Sequence, residues 1–273
     1  MRNNRIKKKI NIKVFFAIFW LIFFGVLIFL SFWNKRDKDL NLDHKFGIIA
    51  TDGVALVSIS DDRKMINELN LNEEVSKEFK NILDEEKNSD QIKNIFWYSF
   101  GFFPDKILFL NSTSQWKENS FLIENLGFLN WLKYRKNYEK MFLKQEKING
   151  KISENDLFLD EVLVRDFSES KLNNEELRLS VFNNTNESGL ARFMTKRLEW
   201  SGFSVISNDN DNQKVDKCLI VYGNKTDLNY GWKIINRIFD CEKKKDETLN
   251  ENELEIYFGD KFASMVKYSN YFK

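Results

Sequence analysis

The stretch "VFNNTNESGLARFMTKRLEWSGFSV", Val181 to Val205, places Asn183, Asn184, Asn186 and Ser188 in a polar turn between an apolar strand and a helix. Such a turn can cradle a phosphate if several glycines aim backbone amides at the anion and a lysine follows. This one holds a single glycine, lacks a Lys-Ser or Lys-Thr pair, and carries Glu187, whose charge repels an anion. The sequence therefore predicts turn-making asparagines, with Asn186 or Ser188 capping the helix. The rival reading is a loop that touches a glycan or a partner through the same four residues.

Other residue types with chemical potential are sparse. The one histidine, His44, precedes the first apolar strand, so neither a Ser-His-Asp triad nor a zinc signature is present. Asp84, Glu85 and Glu86 are adjacent acids on an expected helix, a pattern that normally makes a solvated face. No catalytic residue, metal ligand or cofactor is expected. The aromatic run "IFWYSFGFF" reads as core rather than as a stacking platform. Asn-X-Ser/Thr triplets at Asn111, Asn183, Asn186 and Asn224 are acceptors only in a secretory pathway that glycosylates them.

The elements that must position these residues follow from pattern. Val14 to Trp33 is a twenty-residue run without a charge, roughly 30 Å as a helix, which matches a bilayer's hydrocarbon core. It is longer than a signal peptide's apolar region and ends in Phe32 and Trp33 rather than a small-residue cleavage site, so it predicts an uncleaved anchor. Arg2, Arg5, Lys7, Lys8, Lys9 and Lys13 precede it, which predicts a cytoplasmic tail at 1–13 and everything beyond 33 outside the cytoplasmic membrane. The whole chain carries +1; removing those six cations from its 42 leaves 36 against 41 acids, a net of −5. That balance argues against a nucleic-acid partner. Cys218 and Cys241 would then lie where disulfides persist, and can pair, although two cysteines do not make a framework.

Residues 34–45 read as a polar linker. "FGIIATDGVALVSIS" predicts a hairpin turning at Asp52-Gly53. A mostly helical region follows, with Val75, Phe79, Ile82 and Leu83 on one face, ending at Pro104. "KILFL" is a strand, "NSFLIENLGFLNWLKYRKNYEKMFL" one or two helices, "LFLDEVLVRDF" a helix, and "SESKLNNEEL" a hinge. Beyond it, "LRLSVF", a helix from about Ser188 to Ser201, "FSVIS", "CLIVYG", "LNYGWKIINRIF" and "LEIYFG" give the order β-α-β-β-α-β, with "CEKKKDETLNENE" as a loop. The expected fold class is α/β: one N-terminal transmembrane helix, then two α/β ectodomains at 46–170 and 176–263, and a tail at 264–273.

The ordered set "VFNNT", "SGLA", "SGFSV" and "IYFGDKF" over residues 176–263 resembles the C-terminal domain of the LytR family of cell-envelope proteins. "GVALVSIS" and "GFFPDKILF" give region 46–170 the look of a degenerate LytR–CpsA–Psr domain. In active members that domain transfers a phosphate-linked glycopolymer from a polyprenyl carrier to the wall, using arginines and acids around a pyrophosphate and a metal ion. Here "IIATDGV" and "NELNLNEEV" stand where those arginines belong. Arg63, Arg135 and Arg165 are the remaining phosphate contacts, to be completed by Asp52 or Asp61 if the site were active. The resemblance implies a membrane-anchored, non-catalytic envelope protein that binds a wall glycan or a partner protein, with a glycopolymer phosphotransferase as the alternative.

Overall fold

In the computed structural model two five-stranded sheets succeed each other along the chain, and both lie in the unit Leu42–Lys273. The structure describes residues 44–60, 65–84, 88–118, 142–147, 157–168, 172, 175–211, 214–226 and 229–266.

The first sheet has the order β4-β1-β2-β3-β5. β1 (His44–Ala50) and β2 (Gly53–Ser60) form the expected hairpin, but it turns at Thr51 and Asp52 rather than at Asp52-Gly53: Gly53 already pairs with Ala50 as the first residue of β2. Every residue of β2 is buried, because both faces of this central strand are covered. Val54 and Leu56 meet one core, built with Val75 and Phe79 of α1 (Glu73–Asp84) and Phe96 and Phe100 of α2 (Ser89–Phe100). Ala55, Val57 and Ile59 meet another, with Phe46, Ile48 and Trp116. The run "IFWYSFGFF" is thus core, as its composition suggested.

Two strands depart from the sequence expectation. β3 (Met65–Asn70) was not anticipated, because Asn67 and Glu68 occupy buried positions that hide its alternation. β5 (Phe142–Lys147) begins in what reads as the end of a helix and pairs parallel with β3. β4 (Lys106–Leu110) pairs parallel with β1 as the other edge. The long helical region is two helices; α2 starts anew because the Asn88 side chain accepts from the Asp90 amide at 2.9 Å. α3 (Leu157–Val162) continues as a wide π turn over Leu163–Phe167. The helices expected between Asn119 and Met141 lie outside the described residues.

The second sheet has the order β7-β6-β10-β8-β9. β6 (Arg178–Asn183), α4 (Leu190–Ser201), β7 (Ser204–Asn210), β8 (Cys218–Tyr222), α5 (Tyr230–Ile238) and β10 (Glu253–Phe258) follow the predicted order. The expected β-α-β-β-α-β order needs correction in two places. "EKKK" is not loop but β9 (Glu242–Lys245), an edge strand parallel to β8, and α6 (Asp260–Val266) follows β10. Three lysines in a row mask an edge strand, since its side chains need no core. α4 ends in a Schellman motif: Gly202, at φ 104°, donates to the Glu199 carbonyl at 2.9 Å, and Phe203 to that of Leu198 at 3.0 Å. Cys218 and Cys241 form a disulfide that ties β8 to the entry of β9.

The fold class is also corrected at its first element. No helix among the described residues is long and apolar enough to cross a membrane. The run 14–33, expected as an anchor, lies outside the described residues. The architecture is therefore that of two mixed α/β sheets.

Each half lends a tryptophan to the other. Trp97 of α2 sits in the second sheet's core with Phe239 and Phe258, whereas Trp200 of α4 sits in the first core with Phe96 and Phe100. The crossing point is tight. Gly101, at φ 60°, leaves no room for a side chain: an added Cβ would lie 2.6 Å from the Arg197 carbonyl oxygen and from the Trp200 Cβ.

Candidate functional site

Pairing in the first sheet aligns Lys45, Ser58, Asn67 and Lys144 in one row across four strands. The row lies on the face covered by α3 and its π turn, since the Asn67 amide donates to the Asp166 carbonyl at 2.7 Å. Above it, Asp166 is only 4% exposed. Its carboxylate accepts from Lys144 Nζ at 2.7 Å and from Arg165 Nε and NH2 at 2.9 and 2.8 Å. Burial pushes the Asp166 carboxyl up, but the hydrogen bonds from Arg165 and Lys144 outweigh it and hold the group below the ordinary carboxylate range.

The same cations serve other acids. Lys144 meets Glu146 at 2.7 Å, and Arg165 meets Glu146 at 3.1 Å and also Glu161. Three carboxylates therefore face two cations, and the Arg165 fork is spent on them. An acid fixed in its ionised form makes a poor proton donor, and a knot with a net negative charge does not hold a pyrophosphate. It is a structural lock. On the opposite face Glu68 is likewise closed in, by Lys117 at 2.8 Å, Gln145 at 2.9 Å and Asn70 at 3.1 Å.

Of the other residues singled out, Arg63, Arg135 and Asp61 lie outside the described residues, as do Glu85, Glu86 and the side chain of Asp84. Asp52 does not meet Arg165. It sits at the hairpin turn, five register pairs from the Lys45–Ser58 row, about 16 Å at the strand rise. There it accepts from Ser112 Oγ and the Thr113 amide, both at 2.7 Å, so it ties the hairpin turn to the start of the 3-10 turn Thr113–Lys117, whose N-cap is Ser112. Among the described residues no three His, Cys, Asp or Glu side chains gather as a metal-ligand group.

The Asn-rich turn is held from within. Asn183 is buried; its side-chain oxygen accepts from the Thr185 amide at 3.1 Å and hydroxyl at 2.7 Å. Its amide donates to the Glu187 carbonyl at 2.8 Å and to Asn210 Oδ1 at 3.1 Å. Asn184 reaches Asp211 at 3.4 Å. Asn186 and Ser188 are exposed, and neither caps α4: its N-cap is Gly189, at φ 86°, with no side-chain cap. The turn is built from backbone geometry, Asn183 and Thr185, whose hydroxyl accepts from the Glu187 amide at 3.0 Å.

A surface that the sequence did not single out is the outer face of the second sheet. α4, α5 and α6 all pack on the opposite face, against Leu179, Val181, Ile220, Leu254, Ile256 and Phe258. Strand register puts Ser180, Phe182, Glu255 and Tyr257 outward, half-exposed. Phe182 and Tyr257 are register partners and stack, with centroids 4.7 Å apart and planes 16° from parallel. Polar groups border them. Tyr257 donates to Glu255 at 2.6 Å, Ser207 donates to Ser180 at 2.9 Å, and Asp209 is the register partner of Phe182. Burial, then the bond to Glu255, pushes the Tyr257 phenol upward, so it remains a hydrogen-bonding hydroxyl at neutral pH. Alternation in "LRLSVF" and "LEIYFG" shows one aromatic per strand on the polar side; only their long-range pairing makes them neighbours. No family model matches the chain, no curated protein matches it, and no solved structure matches its fold.

Proposed function

We propose that this chain is a non-catalytic binding module of the cell envelope that takes a wall glycan on the outer face of its second sheet. The observation that carries the reading is the half-exposed Phe182–Tyr257 pair bordered by Glu255, Ser180, Ser207 and Asp209. Apolar ring surface beside fixed hydroxyls and carboxylates suits a sugar, whose C–H surface packs on aromatics while its hydroxyls donate to carboxylates. The disulfide supports an extracytoplasmic setting, where such bonds persist. The likeness of residues 176–263 to the LytR C-terminal domain supports a place in the envelope. The closed knot at Asp166 and Arg165 weighs against a phosphotransferase, because its cations are already neutralised.

The test is co-sedimentation of the purified protein with isolated wall material, beside incubation with a polyprenyl-pyrophosphate-linked glycan and a divalent metal. Wild type is expected to sediment, Phe182→Ala/Tyr257→Ala to lose roughly tenfold in affinity, about 1.4 kcal/mol, and no lipid carrier to be released. Metal-dependent release would establish the transferase instead. Binding unaffected by the double substitution would move the site elsewhere.

A further inference from the structure

Among the described residues the second sheet ends in two edges of opposite charge, β7 and β9, with no strand beyond either. All four residues of β9 are exposed, and Lys243, Lys244 and Lys245 outnumber Glu242. β7 is exposed along most of its length and carries Asp209, with Asp211 just beyond it and no cation. Exposed edges invite pairing, and short length and lysines deter it; β9 has both with its four residues, and an acidic approaching strand relieves the charge part of that deterrent.

The directions of the strands fit a ladder between copies. β7 runs parallel to β6, β6 to β10, β10 antiparallel to β8, and β8 parallel to β9. The two edges therefore run antiparallel, so a second molecule placed beside the first in the same orientation sets its β7 against β9 as an antiparallel pair. The side chains also agree. Asp209 pairs with Phe182 and Lys244 with Val221, which puts both on the outer face. Like edges repel, lysine against lysine and aspartate against aspartate, so only the unlike pairing remains.

We propose that this chain associates head to tail with a second copy of itself, β7 of one molecule adding to β9 of the next, with Asp209 beside Lys244. Such a contact uses two different surfaces, so it repeats into a ring or an open filament whose sheet runs on from copy to copy. A continuous outer face then aligns one Phe182–Tyr257 pair per molecule.

Sedimentation of the full chain tests this with two charge-reversed proteins. Lys243→Glu/Lys244→Glu/Lys245→Glu makes both edges acidic; Asn208→Lys/Asp209→Lys makes both basic, and all five positions are exposed. Wild type is expected to gain mass with concentration and to lose that gain in high salt. Each variant alone is expected to be monomeric, and an equal mixture of the two to associate again, which a misfolded variant cannot do. The proposal is overturned if wild type stays monomeric up to its solubility limit. It is equally overturned if association survives either variant, or if the mixture fails to restore it. Lysine-dependent binding of an anionic polymer by a protein that stays monomeric also overturns it.

Discussion

The indole of Trp97 donates to the hydroxyl of Ser201 at 2.9 Å, and that hydroxyl lies 2.7 Å from the Gly101 carbonyl and 2.8 Å from that of Arg197. One serine thus fastens the end of α2 to the end of α4, inside the seam between the two sheets. Arg197 completes it: its Nε donates to the Tyr98 carbonyl at 2.8 Å, and its guanidinium lies over the rings of Phe193 and Trp200 at 3.9 and 4.6 Å.

Gly101 is the position where this seam tolerates least. Its positive φ costs a non-glycine residue about 1–2 kcal/mol, and overpacking against a backbone carbonyl adds about 1–3. Gly101→Ala is therefore expected to lower stability by about 2–5 kcal/mol, read as a fall in the urea midpoint at unchanged slope.

Asp166 gives the protein an acid limb. Because its folded carboxyl titrates below the ordinary range, it contributes stability above the unfolded value, about pH 3.9, and loses it as pH falls through the folded value. Asp166→Asn removes the acid of this knot, but Lys144 keeps Glu146, Arg165 keeps Glu146 and Glu161, and both cations are partly exposed, so the loss is that of charge-assisted hydrogen bonds, about 1.5–3 kcal/mol. Urea midpoints at neutral pH are expected to differ by that amount, and the gap to start closing below the unfolded value and to close as pH falls through the lower, folded value.

The disulfide closes a loop of sequence separation 23, which restricts the unfolded chain by about 3 kcal/mol. Cys218→Ser/Cys241→Ser and reduced wild type are expected to show the same loss in chemical denaturation. A reductant without effect on wild type would contradict the bond.

Asn183→Ala separates a turn from a contact surface. Losing its four side-chain bonds is expected to cost about 2 kcal/mol, while co-sedimentation with wall material at a temperature well below unfolding stays unchanged. Loss of binding at retained stability would return the Asn-rich loop to the role of a site.

Patterns confined to one element were legible in the sequence. The β1–β2 hairpin, the α4 helix with its Gly202 stop, and the aromatic core run all follow from local spacing, because turn chemistry and amphipathic period act over a few residues. What depends on distant partners was not. β3 hides behind Asn67 and Glu68, whose burial makes sense only once Asp166, Lys117 and Gln145 arrive from far along the chain. β9 hides because an edge strand needs no apolar side chains. The same holds for the site. Arg165 looked like a free phosphate contact until folding surrounded it with three acids, and Phe182 and Tyr257 looked like separate outward aromatics, 75 residues apart in number, until parallel pairing stacked them.

The exchange of Trp97 and Trp200 makes the two sheets behave like the subunits of an obligate heterodimer that happen to share one polypeptide. Cut at the connecting segment, each half would carry an indole-sized void in its own interior and a stranded indole on its surface, at a cost of about 3–5 kcal/mol for each tryptophan lost. Neither half is then a transplantable module, and heat or denaturant should melt both in one step rather than two.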